Sequence, residues 1–425
     1  MRCDYACNSP EHLISRRSFL AGSLGALTFG GLTQPAAGRE LARAQRRVLV
    51  VWLSGGSSQL ETWDPKPGTD TGGPFQAIPT SVPGIHICEL LPYTARVMHK
   101  MALVRGINTA EDDHSKGAYI MHTGRRQEPA TRYPHLGSVC AKLLAPDDNP
   151  LPGYIHITPR GNGGAHQDDA AFLGPRYAAV ALGDGRAPAN LGRPDGVTED
   201  TDRRRLAFRA HANDRFLRGR RTAETEAYTH SYDQAAQLMA RRGLFDISKE
   251  PPYFRDRYGR HDFGRHCLMA RRLLEGGATF VKVTHSNYDT HHENFDFHIE
   301  QLGEFDRPFA TLLDDLDQRG LLQSTLVVVM AEFGRTPKIN RNLGRDHWSR
   351  AWSVALAGCG IQAGAVVGKT NANGTAVADR EVWSGHLFHT YLQAVGLDPR
   401  KNHYADQRPI PMADPKASAI QEVLA

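Results

Sequence analysis

A mostly parallel α/β sheet with helices on both faces is the fold class this sequence predicts. Two observations carry that expectation. Val48-Leu49-Val50-Val51-Trp52-Leu53 and Thr325-Leu326-Val327-Val328-Val329-Met330 are continuous apolar, β-branched runs, as in strands buried on both faces. Between such runs lie stretches of helical spacing, as at Leu302, Phe305, Phe309, Leu312, Leu313 and Leu316. Strand and helix alternating in this way call for crossover connections.

Residues 1–45 read as an export signal and linker. Ser15-Arg16-Arg17-Ser18-Phe19-Leu20 matches the twin-arginine pattern, and Ser18 to Gly38 is free of charge. A spanning helix needs about 20 strongly apolar residues. Here Gly, Ala, Ser and Thr dilute the run, so it reads as a signal, with an uncleaved anchor as the alternative. The expected partner is the twin-arginine export machinery, and the expected location is periplasmic or otherwise extracytoplasmic. No stable membrane span is expected unless the signal is uncleaved.

Residues 46–400 read as one α/β domain. Val48–Leu53 ends at the tight turn Ser54-Gly55-Gly56-Ser57, and residues 64–84, rich in Pro, Gly and Thr, read as loop. Leu90 to His99 reads as helix, 102–105 as strand, Lys116 to His122 and Leu136 to Leu144 as helices, and 154–157 as strand. An insertion occupies about 159–243: a Gly, Pro and Asp-rich excursion to about 200, then an arginine-rich helical stretch read as a solvated face. Beyond it come a helix at Asp262 to Gly276, closed by Gly277, and a strand at 279–284. A long helix from Phe295 to Gly320, a strand at 325–330, a strand at 352–357 and a closing helix from Leu387 to Val395 follow. Residues 401–425 read as a C-terminal tail, loosely packed from Pro409.

Composition adds exclusions. A net charge of +5 over 425 residues, without aromatic residues interleaved among the arginines, gives no reason to expect nucleic acid. Cys88, Cys140, Cys267 and Cys359 form no CxxC pair and read as buried single cysteines.

Ligands of parallel α/β sheets gather outside the carboxyl ends of the strands. Three such ends carry polar clusters: Gly55-Gly56-Ser57-Ser58 with Glu61-Thr62-Trp63-Asp64, Asp289-Thr290-His291-His292-Glu293-Asn294, and Glu332-Phe333-Gly334-Arg335-Thr336 with Gly344-Arg345-Asp346-His347-Trp348. Asp289, His291, Glu332 and His347 are suitable ligands for a divalent metal such as zinc, manganese or calcium.

Taken together, Trp52-Leu53-Ser54-Gly55-Gly56-Ser57, Thr62-Trp63-Asp64-Pro65-Lys66-Pro67, Asp289-Thr290-His291 and the last two clusters resemble the uncharacterised-domain family numbered 1501, from about residue 46 to 400. That family is grouped with the alkaline-phosphatase-like superfamily of phosphatases, sulfatases and phosphomutases. The resemblance implies that Asp289, His291 (or His292) and His347 hold one metal. Superfamily members place an Asp after the first strand and an Asp-His pair later for a second metal. Here Gly55-Gly56 and Glu332-Phe333 stand there, so a one-metal or rearranged site is expected.

His114-Ser115-Lys116-Gly117 through Thr123-Gly124-Arg125 resembles the sulfatase turn that enters a helix. No cysteine is present to become formylglycine. Ser115 then reads as a nucleophile or as a helix N-cap, and His114 as a general acid or a metal ligand. Arg335 reads as a clamp for an ester oxygen or as a structural ion pair, with a weaker case for Arg345. The implied activity is metal-dependent hydrolysis of phosphate or sulfate esters, on an anionic small molecule or polysaccharide. The alternatives are a degenerate binder of metal or anionic glycan, and a partner subunit of an exported complex.

Overall fold

The structure, a computed structural model, describes residues 45–146, 148–159, 169–187, 191–218, 223–405 and 407–425. The twin-arginine segment lies outside the described residues. Gln45–Ala425 forms one compact unit.

Its centre is an eight-stranded sheet of β1 (Arg47–Leu53), β2 (Met101–Ile107), β3 (Tyr154–Thr158), β4 (Val180–Gly183), β5 (Phe280–His285), β6 (Thr325–Met330), β7 (Trp352–Gly358) and β8 (Val366–Val367), in the order β8-β2-β7-β6-β1-β5-β3-β4. β1 lies in the middle. It pairs in parallel with β5, Val50 opposite Lys282, and with β6, Val50 opposite Val328. Every residue of β1 is buried, which is why the sequence there carries no polar alternation.

The strand at Trp352 is buried as expected but runs antiparallel to both β2 and β6. The chain enters it from a short hairpin, Gly334–Arg335 against His347–Trp348, without a crossover helix between β6 and β7. An antiparallel return is what such a connection permits.

The helices are α1 (His114–Thr123), α2 (Leu136–Leu143), α3 (Glu199–Leu217), α4 (Ala223–Ala240), α5 (Asp262–Glu275), α6 (Asn294–Gln318) and α7 (Ser384–Ala394), with short helices at Pro92–Arg96 and Pro252–Arg257. α6 buries the apolar stripe read from the sequence and packs against α5. The insertion carries β4 on the sheet edge, which its Gly- and Pro-rich composition hid. α3 has no buried residue, and Arg204 and Arg209 pair with Asp200 and Asp233, the arrangement of a solvated face. Among the described residues, no helix is long and apolar enough to cross a membrane. Cys88, Cys140, Cys267 and Cys359 are buried and unbonded.

The segment read as a loose tail is well packed. Arg408–Pro411 pairs with Asn402–Ala405, and Ile420 and Val423 are fully buried in the main core. Its apolar residues are too sparse for a periodic signal, yet Met412, Ile420 and Val423 join the main core and Ile410 packs with Tyr119 and Tyr133. The helix read at Leu90 to His99 is shorter, Pro92–Arg96, and its start is capped from afar. Asp306 of α6 accepts the N–H groups of Tyr93 and Thr94, both at 2.7 Å. Asp306→Ala removes the acceptor of two backbone donors, one of them buried. Urea denaturation is expected to show a loss on the order of 2–4 kcal/mol.

Candidate metal centre

Four strand ends deliver the site. β2, β1, β5 and β6 run in one direction, so the segments that leave their carboxyl ends meet on one edge of the sheet. The segment after β2 enters α1 at His114, and the turn after β1 holds Gly55 and Gly56. The loop after β5 carries Asp289 and His291, and β6 leads through Glu332 and Phe333 into the hairpin bearing Arg335 and His347.

Three imidazoles converge on the Asp289 carboxylate. Its Oδ1 lies 3.1 Å from His291 Nε2 and 3.2 Å from His347 Nε2, and those two nitrogens are 3.0 Å apart. Its Oδ2 lies 3.4 Å from His114 Nε2. A tetrahedral ion with bonds of ~2.0–2.1 Å sets its ligand atoms ~3.3–3.4 Å apart, so the spacings among Asp289 Oδ1, His291 and His347 come within a few tenths of an ångström of that geometry. His114, Asp289 and His347 offer ligand atoms that all lie within 4.8 Å of one another.

The opposite ring nitrogens are all occupied. His291 Nδ1 is 2.7 Å from Asp346 Oδ1, His347 Nδ1 is 2.7 Å from the Asp112 carbonyl, and His114 Nδ1 is 2.8 Å from Glu332 Oε1. A carbonyl and carboxylates only accept, so each Nδ1 carries a proton, and a ring in its neutral form turns an Nε2 lone pair inward. This is the outer-partner pattern of histidines that hold metals.

Glu332 therefore stands behind His114. Its Oε1 also accepts from Gly55 N at 2.9 Å, so this oxygen of the residue expected as a ligand orients the His114 ring. His114, read from the sequence as a general acid or a metal ligand, joins the converging set. Phe333, where relatives were expected to place a second-metal histidine, is a seat for two imidazoles. Its ring lies 4.4 Å from that of His347 and 4.9 Å from that of His114.

The sequence matches the family described as "Protein of unknown function (DUF1501)" over residues 45–424. The chain belongs to this family. No curated protein matches it. Among solved structures it is similar to a protein in the alkaline phosphatase superfamily from Vibrio parahaemolyticus, at 13% identity, 90% of this chain, 71% of that chain and a TM-score of 0.38. It is also similar to the PsFucS1 sulfatase from Pseudoalteromonas sp., at 14% identity, 86% and 72% coverage and a TM-score of 0.39. Alkaline phosphatase from the Antarctic bacterium TAB5 matches at 14% identity, 83% and 98% coverage and a TM-score of 0.37.

In this DUF1501 chain, packing explains why no carboxylate follows β1. Gly55 has φ +110°, and a Cβ there would sit 2.5 Å from Asp289 N and 2.8 Å from the Tyr288 carbonyl carbon. At Gly56 it would sit 2.6 Å from the Phe333 ring. The loop bearing Asp289 lies against the β1 turn too closely for any side chain.

Arg335 fastens that contact. It is fully buried, and its Nε donates to Gly56 O at 2.8 Å, its Nη1 to Arg345 O at 3.1 Å, and its Nη2 to Gly55 O and to Asp289 Oδ1. These donors are engaged within the protein, so Arg335 positions Asp289 and offers little to a ligand. Burial pushes the Asp289 carboxyl up, but the Arg335 hydrogen bond and charge outweigh it and hold it at about 2. It is ionised at neutral pH.

Arg345 anchors the hairpin from below. It pairs with Glu61 at 2.8 Å, both side chains fully buried, and donates to the carbonyls of Thr71, Thr336 and Pro337. Gly344 next to it leaves no room for a Cβ against the His291 carbonyl. The sequence offered Glu61 and Arg345 as polar residues near strand ends; their 284-residue separation concealed the pairing.

Ser115 is exposed on the second residue of α1 and lines a cavity of about 610 Å³ together with His114 and Asp289. It is not the N-cap. Asp113 is, its carboxylate accepting from Lys116 N at 3.0 Å.

Two outcomes follow. Gly55→Ala should fold but hold metal at least about tenfold more weakly in a chelator competition, because Asp289 is displaced. Glu61→Gln should lose roughly 3–5 kcal/mol in urea denaturation, leaving Arg345 buried without its counter-charge. Burial raises the Glu61 carboxyl, but the charges of Arg345 and His298 bring it below its usual value. Its contribution is thus present above the ordinary carboxylate pKa and lost as pH falls through the lowered one. The acid limb of the stability profile should flatten in Glu61→Gln.

Proposed function

We propose that this protein is an exported metal-dependent hydrolase of phosphate or sulfate esters, with Asp289, His291, His347 and His114 holding one divalent ion. The observation that carries the reading is the inward orientation of three Nε2 atoms about one carboxylate, each ring fixed from behind at Nδ1. A divalent ion held there supplies a Lewis acid for an ester oxygen and lowers the pKa of water beside it.

The chain's own residues supply the rest. Arg335, Glu332, Asp346 and the Asp112 carbonyl keep the four inner side chains in register. Ser115 offers its hydroxyl to the cavity from the first turn of α1, where the helix dipole favours developing negative charge. An ester in the cavity meets either that hydroxyl or a water molecule as nucleophile.

A second reading has its own support. The space after β1 that relatives fill with a carboxylate is closed by Gly55 and Gly56, and Phe333 replaces a possible ligand. Both favour a single ion, and they are compatible with a protein that binds metal and an anionic glycan without turnover.

Protein exported by its native host should contain about one equivalent of zinc or manganese by elemental analysis, the three imidazoles disfavouring calcium. His347→Ala and Asp289→Ala should lose that metal and, on a panel of phosphate and sulfate esters, all turnover. Ser115→Ala distinguishes the nucleophiles: loss of about a hundredfold or more in kcat indicates the hydroxyl, retention indicates water. Full metal with no turnover on any ester would leave the binding reading. Metal-free protein, unchanged by His347→Ala, would remove both. Replacement of Arg16 and Arg17 by Lys should abolish export.

A further inference from the structure

The cavity beside the metal residues has a second, buried wall that ester hydrolysis at the metal does not use. Its rim carries His114, Ser115 and Asp289; its inner wall carries Trp52, His122, His156 and Lys282. Lys282 lies on β5, next to the central strand, in a run otherwise fit for a core: Phe280, Val281, Val283. Only 6% of it is exposed.

A lysine there is costly unless its charge is met. Its Nζ lies 3.2 Å from His122 Nε2 and over the Trp52 ring, 5.7 Å from the centroid. Among the described residues no carboxylate lies within 4.0 Å of it. Burial lowers its pKa to about 8, partly offset by the more distant charges of Asp169 and Glu332, so the ammonium persists at neutral pH. An ammonium has three donors, and the imidazole of His122 takes one.

The neighbouring groups are polar too. His156 Nε2 is 2.8 Å from Thr284 Oγ1, and both residues line the cavity. On the same cavity wall, Glu332 Oε2 is buried and has no hydrogen-bond partner among the described residues. A cation beside an open acceptor suits a ligand that carries an anion and a hydroxyl together.

We propose that Lys282, held in place by His122, forms an oxyanion subsite that takes a non-reacting sulfate, phosphate or carboxylate group of a hydroxylated ligand such as a charged sugar. The ester that reacts goes to the metal, and this second group anchors the molecule. Charge-assisted hydrogen bonds from the buried ammonium provide the affinity, and Glu332 Oε2 accepts from an adjacent hydroxyl. The inference rests on the hydrolase reading only in making the bound molecule a substrate. The anion contact itself needs no metal.

The test uses the full exported protein, chelator-treated, and calorimetric titration with galacturonate, galactose 6-sulfate, galactose 6-phosphate and neutral galactose. The expected result is binding of one or more of the three anions and none of galactose. The preferred anion tells sulfate, phosphate and carboxylate apart. Binding should persist in His347→Ala and weaken by at least about tenfold in Lys282→Met, whose side chain keeps the length and drops the charge.

Equal affinity in Lys282→Met, equal binding of galactose, or no anion bound by the wild type would overturn the subsite. Loss of anion binding in His347→Ala, with Lys282→Met unaffected, would move the anion to the metal and leave the hydrolase reading standing. Metal retained by His347→Ala would sink that reading and spare the subsite. If Lys282→Met folds poorly, the melting temperature of metal-free wild type decides: anions should raise it, galactose should not, and Lys282→Gln should diminish the rise.

Discussion

Two imidazole nitrogens 3.0 Å apart, both within reach of one carboxylate oxygen, call for a proton or a cation between them. That single requirement organises this edge of the molecule. A shared proton can satisfy one edge of the triangle formed by His291, His347 and Asp289. A divalent cation would satisfy all three at once. The outer partners are chosen accordingly: Asp346, the Asp112 carbonyl and Glu332 accept only, and so they fix which nitrogen of each ring is bare.

Holding such a cluster requires that four chain segments approach more closely than ordinary side chains allow. Glycine makes the approach possible, and buried arginine keeps it from relaxing. Gly55 and Gly56 let the β1 turn touch the Asp289 loop and the Phe333 ring, and Arg335 bonds to the carbonyls of both glycines and to Asp289. The same pairing recurs one layer below, where Gly344 admits the His291 backbone and Arg345 binds Glu61. A turn that admits Asp289 at this distance has no space for an aspartate of its own.

Much of this was legible in the sequence. Apolar runs marked β1, β5 and β6, and titratable residues just after them marked the site, because a parallel sheet sends its strand ends to one edge. Asp289, His291 and His347 do meet. What stayed hidden were facts that periodicity does not encode. The direction of β7 follows from a hairpin of two residues per strand, too short to leave a pattern. Edge strand β4 is half exposed and lies in Gly-rich sequence. The order of Glu332 and His114 about the centre depends on which carboxylate oxygen Gly55 N occupies, and no spacing rule reports that. Arg335 looked like a substrate clamp because its motif sits at the right strand end. Its burial under the β1 turn could be seen only once the turn's glycines were placed.

Three buried cations at this end of the sheet have different surroundings, and the contrast separates scaffold from function. Arg335 meets carbonyls and Asp289, and Arg345 meets carbonyls and Glu61, so both charges are balanced inside the protein. Lys282 meets an imidazole and an indole face instead, in a strand that also buries Phe280, Val281 and Val283. An uncharged residue of similar volume would serve such a core at least as well. A cation kept where the fold gains nothing from its charge is better explained by a ligand that does, and the cavity it faces is the one that opens onto Asp289 and His114.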